Sequence, residues 1–232
     1  MWPAAVRFID RTDSTIADNL LTDDQLLGDV QSDSAAACLR IWESATYGVV
    51  LGKSNVAAQE VDEGACAAEG VPILRRSSGG GTVVVGPGCL CFTLALPLPT
   101  DYPMLGIAAV TQQLMQRLAN AWSTPEHPLA VEGISDLAVE GLKVCGNAQR
   151  WKSRAFLHHG TLLYDFDLSR ISRYLRMPNR RPDYRAGRSH QDFVANILLP
   201  RQELIRRLTR LWNAQACLPQ PEVVSDVQAA IE

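Results

Sequence analysis

RRSSGGGTVVVGPG, Arg75 to Gly88, is the stretch on which the reading of this chain turns. Two arginines run directly into three glycines; a β-branched run follows, and Gly-Pro-Gly at Gly86 to Gly88 forces a second tight turn. Glycine loses more conformational freedom on ordering than any other residue, so an ordered run of three implies that something must come close to the main chain. Bare amides there can form a concavity for an anion. Arg75 and Arg76 add forked, permanently charged donors that suit carboxylate or phosphate. Alone, such a run is a flexible turn. With arginines before it and a strand on each side, it reads as a ligand cradle. It is not a P-loop, because GxxxxGK[ST] is missing and no GxGxxG opens a helix.

Working outward, the pattern predicts alternating strands and helices. A helix starts near Asp13-Ser14 and turns Ile16, Leu20 and Leu21 inward. Cys38 to Gly52 reads as two strands joined by a turn, Glu60 to Glu69 as a helix ended by Gly70, and Pro72 to Arg76 as a strand. Leu90 to Leu96 is an apolar strand, and Pro103 opens a helix to Trp122 with Ile107, Val110, Leu114 and Leu118 at helical spacing. A hairpin around Glu140-Gly141 joins Asp136–Val139 to Lys143–Gln149. Phe156 to Tyr164 is a strand, and Asp167–Leu175 and Pro200–Trp212 are helices. The expected class is α+β, with helices packed on a mixed or antiparallel sheet.

The second informative segment is GLKVCGNAQR, Gly141 to Arg150. A hairpin lysine is ordinarily a solvated charge. Lys143, between Gly141 and Gly146, can instead reach a carbonyl or an α-phosphate and stabilise charge developing there. His158 and His159 are neighbours in a strand and point to opposite faces, so at most one lines a site. Gly160 beside them permits a close ligand. Cys145 lies two residues from Lys143, so a regular strand would put both on one face, where the ammonium would favour a thiolate; the simpler reading is a small packing residue.

The bulk properties fit this picture. The 232 residues are 47% hydrophobic and 20% charged, with net charge −3, an ordinary globular balance without a nucleic-acid or membrane signature. No stretch approaches the roughly 20 apolar residues that span a bilayer. MWPAAVRFIDRTD lacks the basic start and apolar run of a secretory signal. The six cysteines, with no CxxC pair, read as reduced thiols of a cytoplasmic protein.

RRSSGGGTVV, GLKVCGNAQR and HHGTLL, in this order and preceded by WESATYGVVLGKSN, resemble the lipoate-protein ligase and octanoyltransferase superfamily, distantly related to biotin-protein ligase. The likeness runs from about Arg40 to Leu211. It implies the biotin/lipoate-protein ligase catalytic-domain fold and a two-step reaction. ATP converts lipoate or octanoate into acyl-AMP, and a lysine of a lipoyl domain or glycine-cleavage H protein displaces AMP. By the same resemblance, Lys143 is the catalytic residue that contacts the acyl carbonyl and phosphate. Arg75, Arg76, Ser78, Gly79, Gly80 and Gly81 would cradle the acyl carboxyl end and the nucleotide. Gly146, Asn147 and Ala148 stand beside the lysine, His159 and Gly160 match the family's HG pair, and Asp136 is the acidic position for magnesium–nucleotide.

Octanoyltransferases use a cysteine thioester, with the nucleophile in the loop before the lysine segment or well after the HG strand. Here that loop reads EGISD, Glu132 to Asp136, and no cysteine follows Gly160 until Cys217. The ligase is therefore the leading expectation; a thioester-forming octanoyl or lipoyl transferase and a non-catalytic lipoyl-adenylate-binding protein are the alternatives. Two departures stand out. VVVGPGCL replaces the histidine–aspartate pair that ligases carry after the glycines, and 1–232 leaves room for a single catalytic domain without a C-terminal accessory domain, so the accessory part is dispensable or a separate chain. Seven arginines between Arg170 and Arg188 suggest a basic surface for an acidic acceptor, and PDYRAGRSHQDF a loop over the adenylate.

Overall fold

The structure, a computed structural model, describes residues 2–178 and 181–216. In chain order the elements are β1 (Val6–Asp10), α1 (Ile16–Gln31), β2 (Cys38–Trp42), β3 (Gly48–Leu51), α2 (Ala57–Glu60), α3 (Glu63–Ala68), β4 (Ile73–Arg75), β5 (Val83–Val85) and β6 (Cys89–Pro97). They continue with α4 (Tyr102–Trp122), β7 (Leu129–Glu132), β8 (Asp136–Val139), β9 (Leu142–Trp151), β10 (Ala155–Leu163), α5 (Ser169–Tyr174), α6 (Arg201–Leu211) and β11 (Ala214–Ala216). A mixed sheet runs β11-β1-β2-β6-β10-β9-β8-β7, and a small second sheet runs β4-β3-β5. This is the expected α+β arrangement of mixed sheets packed with helices. No helix of the described residues is long and apolar enough to cross a membrane.

β6 explains why the core forms where it does. Its residues from Cys89 to Leu96 are all buried, because both faces of the large sheet are covered. Leu90, Phe92, Leu94 and Leu96 pack with Leu114, Leu118 and Trp122 of α4 and Leu204 and Leu208 of α6. Ala95 meets Leu26, Leu27 and Val30 of α1 on the opposite face, and Cys89 and Cys91 meet the valines of the small sheet. Each large side chain buried this way is worth roughly 1.5–3 kcal/mol.

Several expectations need correction. α1 is capped by Thr15, whose hydroxyl and Asp18 form a reciprocal capping box, and Leu21 is exposed. The inward stripe carries Asn19 and Asp23 among its apolar residues, because it faces the buried Arg40 of β2. The helix expected from Glu60 to Glu69 splits into α2 and α3, since Val61 is extended and bridges Leu175. α4 breaks at Gly106 (φ 70°), which leaves Ile107 exposed. The Glu140-Gly141 hairpin forms as read, with both residues at positive φ (50° and 73°).

Candidate active site

A cavity of about 850 Å³ lies between the α1-side face of the large sheet and the small sheet. The sheet register builds its floor. Thr93, His159 and Ala148 stand side by side across β6, β10 and β9, with Cys91, Thr161 and Gly146 in the next row. Leu20, Trp42, Val50, Val84, Leu163 and Ile171 make one end apolar, and Asp23 is the ionisable group there. Asp136, Lys143 and the segment Pro182–Tyr184 border another part.

The two arginines of the opening motif part company, as neighbours in an extended chain must. Arg75 is exposed and does not border the cavity; its Nη1 donates to the carbonyls of Gly52, Lys53 and Asn55 and braces the turn after β3. Arg76 is buried and works on the glycine turn itself. Its Nη2 donates to the carbonyls of Gly79 (2.6 Å) and Gly81 (2.8 Å), its Nη1 to Val50, and its Nε to Ser78 Oγ (3.0 Å). Burial pulls this guanidinium down to about 10, so it is still a cation at neutral pH. The Ser78 carbonyl accepts from Lys53 N–H, and the Gly80 carbonyl abuts Gly52, where a Cβ would collide with it. The amides of Gly79, Gly80, Gly81 and Thr82 have no acceptor among the described residues. Gly80 and Gly81 border the cavity, whereas Ser78 and Gly79 stand behind them.

Ser78 is a link. Its hydroxyl accepts from Arg76 Nε and lies 2.6 Å from His159 Nε2. Burial, with Arg76 and His158 nearby, holds the ring well below the usual histidine range. His159 and Gly160 both border the cavity, while His158 is buried on the opposite face.

Lys143 is placed by irregular backbone. Ala138 pairs with Lys143 but Leu137 with Cys145, so Val144 is an extra residue, a β-bulge. The bulge breaks the expected alternation of Lys143 and Cys145. Lys143 Nζ reaches Asp136 Oδ1 at 2.7 Å, and its stem passes over Gly146, where a Cβ would sit 2.9 Å from Cε and Nζ. Val144 and Cys145 both pack in the core. Burial pushes the Cys145 thiol well up, against the smaller opposing effects of Asn147 and Lys143. Asn147 and Ala148 complete the wall beside Gly146.

Sequence reading missed several neighbours. Tyr184 donates to Asp136 Oδ2 at 2.9 Å, Phe193 C=O accepts from Lys143 N–H, and Ala195 N–H donates to Lys143 C=O. Only the flagged Gly- and Pro-bearing loop hinted at them. Glu60, which accepts from Thr82 and Asn55, and Asp23 gave no signal. The arginines after Arg170 do not form one basic surface. Arg170 and Arg173 pair with Glu69, Arg185 is buried over Phe193, Arg188 donates to the carbonyls of Gly141 and Tyr184, and Arg176 and Arg181 border the cavity. Arg180 and Cys217 lie outside the described residues.

A mixed sheet and a small second sheet thus enclose one cavity bordered by Gly80, Gly81 and the bulge-mounted Lys143. The chain belongs to the lipoyl protein ligase A/B catalytic domain family, whose model matches residues 15–209. It is 26% identical over 179 residues to the probable lipoate-protein ligase A of Mycoplasma pneumoniae, covering 77% of this chain and 51% of that protein. The chain spans about half the length of the curated relatives it matches. Its fold is similar to a lipoate-protein ligase A solved with ATP (TM-score 0.75, 20% identity, 92% of this chain and 87% of that one). It is also similar to a bi-partite lipoate protein ligase from Thermoplasma acidophilum, described with its E2 lipoyl domain (TM-score 0.70, 21% identity, 92% and 86%).

Proposed function

We propose that this protein is a lipoate-protein ligase. It activates lipoate or octanoate with ATP and transfers the acyl group to a lysine of a lipoyl domain or H protein. The observation that carries this is one cavity with three parts: acceptor-free amides at Gly80–Thr82, the Lys143 ammonium, and an apolar end. They match the three parts of an acyl-adenylate, which are phosphate, acyl carbonyl and chain.

The carboxylate oxygen attacks the α-phosphorus of ATP and pyrophosphate leaves. The amides of the glycine turn hold the phosphate oxygens, and Lys143 stabilises negative charge on the acyl and phosphoryl oxygens as it develops. The neutral acceptor amine then attacks the acyl carbonyl, AMP departs, and the amine gives up its proton. Magnesium commonly takes one or two carboxylates together with substrate phosphates. Asp136 and Glu132 suit that pattern, and when bound the ion neutralises phosphate charge.

Cys145 disfavours the thioester route, because its thiol is buried and held protonated. A cytoplasmic setting completes the reading, and the archaeal ligase described with its E2 lipoyl domain supports a lipoyl-domain acceptor. The test is intact-mass analysis of an acceptor domain incubated with protein, magnesium and lipoate. The mass should rise by one lipoyl group with ATP only, and Lys143→Ala should abolish the change. Modification that needs acyl carrier protein instead of ATP would sink the ligase reading.

A further inference from the structure

His158 is fully buried on the α4 side of the sheet and takes no part in the chemistry above. Both its nitrogens are engaged: Nδ1 lies 3.0 Å from Gln149 Nε2, and Nε2 lies 3.2 Å from Asn147 Oδ1. Gln149 Oε1 in turn accepts from Trp151 Nε1 at 3.0 Å. At the other end, Asn147 Nδ2 donates to the Ser135 carbonyl, and Ser135 Oγ donates to the Asn147 carbonyl, both at 2.9 Å. Gly160 makes room, since a Cβ there would collide with Asn147 Oδ1 and Phe92.

The chain has one direction, and its two ends agree on it, because the Trp151 indole can only donate and the Ser135 carbonyl can only accept. Gln149 must therefore turn Oε1 to Trp151, which places its NH₂ on His158 Nδ1. That nitrogen then accepts, the proton sits on Nε2, and Asn147 receives it on Oδ1 and turns its own NH₂ to Ser135. Thr111 cannot set the direction, because its one hydroxyl hydrogen has two acceptors in reach, Gln149 Oε1 at 2.7 Å and Ile107 C=O at 2.8 Å. The ring has to be neutral, and burial, which pulls it down to about 3, keeps it so.

We propose that Trp151, Gln149 and His158 are positioning residues, whose hydrogen-bond chain buttresses Asn147 and so holds the Gly133–Ser135 turn, and with it Asp136, against Lys143. The catalytic consequence rests on the ligase reading; the chain itself does not.

Trp151→Phe keeps a ring to stack between Phe156 and Tyr102, now 4.4 and 5.4 Å away, and removes only the donor. Imidazole ¹⁵N shifts should report a single Nε2–H tautomer of His158 in the native protein and, because the Ser135 carbonyl still orients Asn147, in the variant as well. Amide exchange across Ile134–Leu137 should quicken about tenfold, with α4 and β6 unchanged. In ATP–pyrophosphate exchange, kcat should fall about tenfold while KM for lipoate stays within about twofold. Gln149→Met, close in volume, should reproduce the exchange and kcat effects if the first variant does not fold. An Nδ1–H tautomer in the native protein overturns the proposal. So does unchanged loop exchange or unchanged kcat in a folded variant. Absence of any exchange activity in the native protein counts against the ligase reading alone, since tautomer and amide exchange still decide the chain.

Discussion

The Lys143 ammonium sits 2.7 Å from Asp136 Oδ1, and the Tyr184 hydroxyl secures the other oxygen at 2.9 Å. This pair fixes the cation over the part of the cavity assigned to the reacting carbonyl. Asp136→Asn keeps the shape and removes the charge that holds Lys143. Adenylation should fall about a hundredfold, the range for loss of one preorganised electrostatic contact. Pyrophosphate exchange measures it, and a near-native rate would show that Asp136 does not place the lysine.

Arg76 and Arg75 should respond oppositely to the same substitution. Lysine cannot reproduce a planar fork, so Arg76→Lys leaves a buried cation unable to hold the carbonyls of Gly79 and Gly81 together and should cost about 2–3 kcal/mol. Arg75→Lys, on the exposed turn, should cost less than about 1 kcal/mol. Urea denaturation of both variants decides; equal losses would contradict the buried bracing role.

Gly52 tests the cradle from outside. Alanine there would push its Cβ into the Gly80 carbonyl and shift the turn toward the cavity. Nucleotide affinity should weaken about tenfold. Calorimetric titration with ATP provides the measure, and Gly70→Ala, in open space at φ 66°, controls for generic strain.

Asp23 gives a pH signature. Burial raises its carboxyl to about 6 from the ordinary 3.8, although Arg40 opposes the shift. Between these values the folded chain binds more protons than the unfolded one, so this group's contribution to stability falls as pH rises from 4 to 6. Asp23→Asn mimics the protonated form. The variant should gain stability relative to the native protein across that window and hold a constant difference above it. A variant that loses ground as pH rises would mean that Arg40 dominates.

Much of this was legible in the residues. The glycine run, Lys143 and the HG pair each have a signature that needs no tertiary partner, and the Glu140-Gly141 turn is specified by two adjacent residues. What was not legible depends on partners far along the chain. Leu21 fits an inward position by spacing, but Asp23 and Asn19 take the inward stripe because Arg40 lies opposite. Arg75 and Arg76 look alike in sequence; only the burial of one separates them. The bulge at Val144 leaves no composition mark, so Cys145 appeared to share a face with Lys143.

The way Arg76 and Lys53 claim the carbonyls around the glycine turn has an electrostatic consequence. With those oxygens held by the protein, the N–H groups of Gly80, Gly81 and Thr82 keep no acceptor among the described residues. We propose that these oriented dipoles draw the anion there, beside the cationic Arg76 and Lys143. Formal charges act at range and are screened over about 8 Å at physiological ionic strength, whereas dipoles in contact with a ligand are screened far less. A chain of net charge −3 can thus select an anion without a positive exterior, and that selection should persist in concentrated salt.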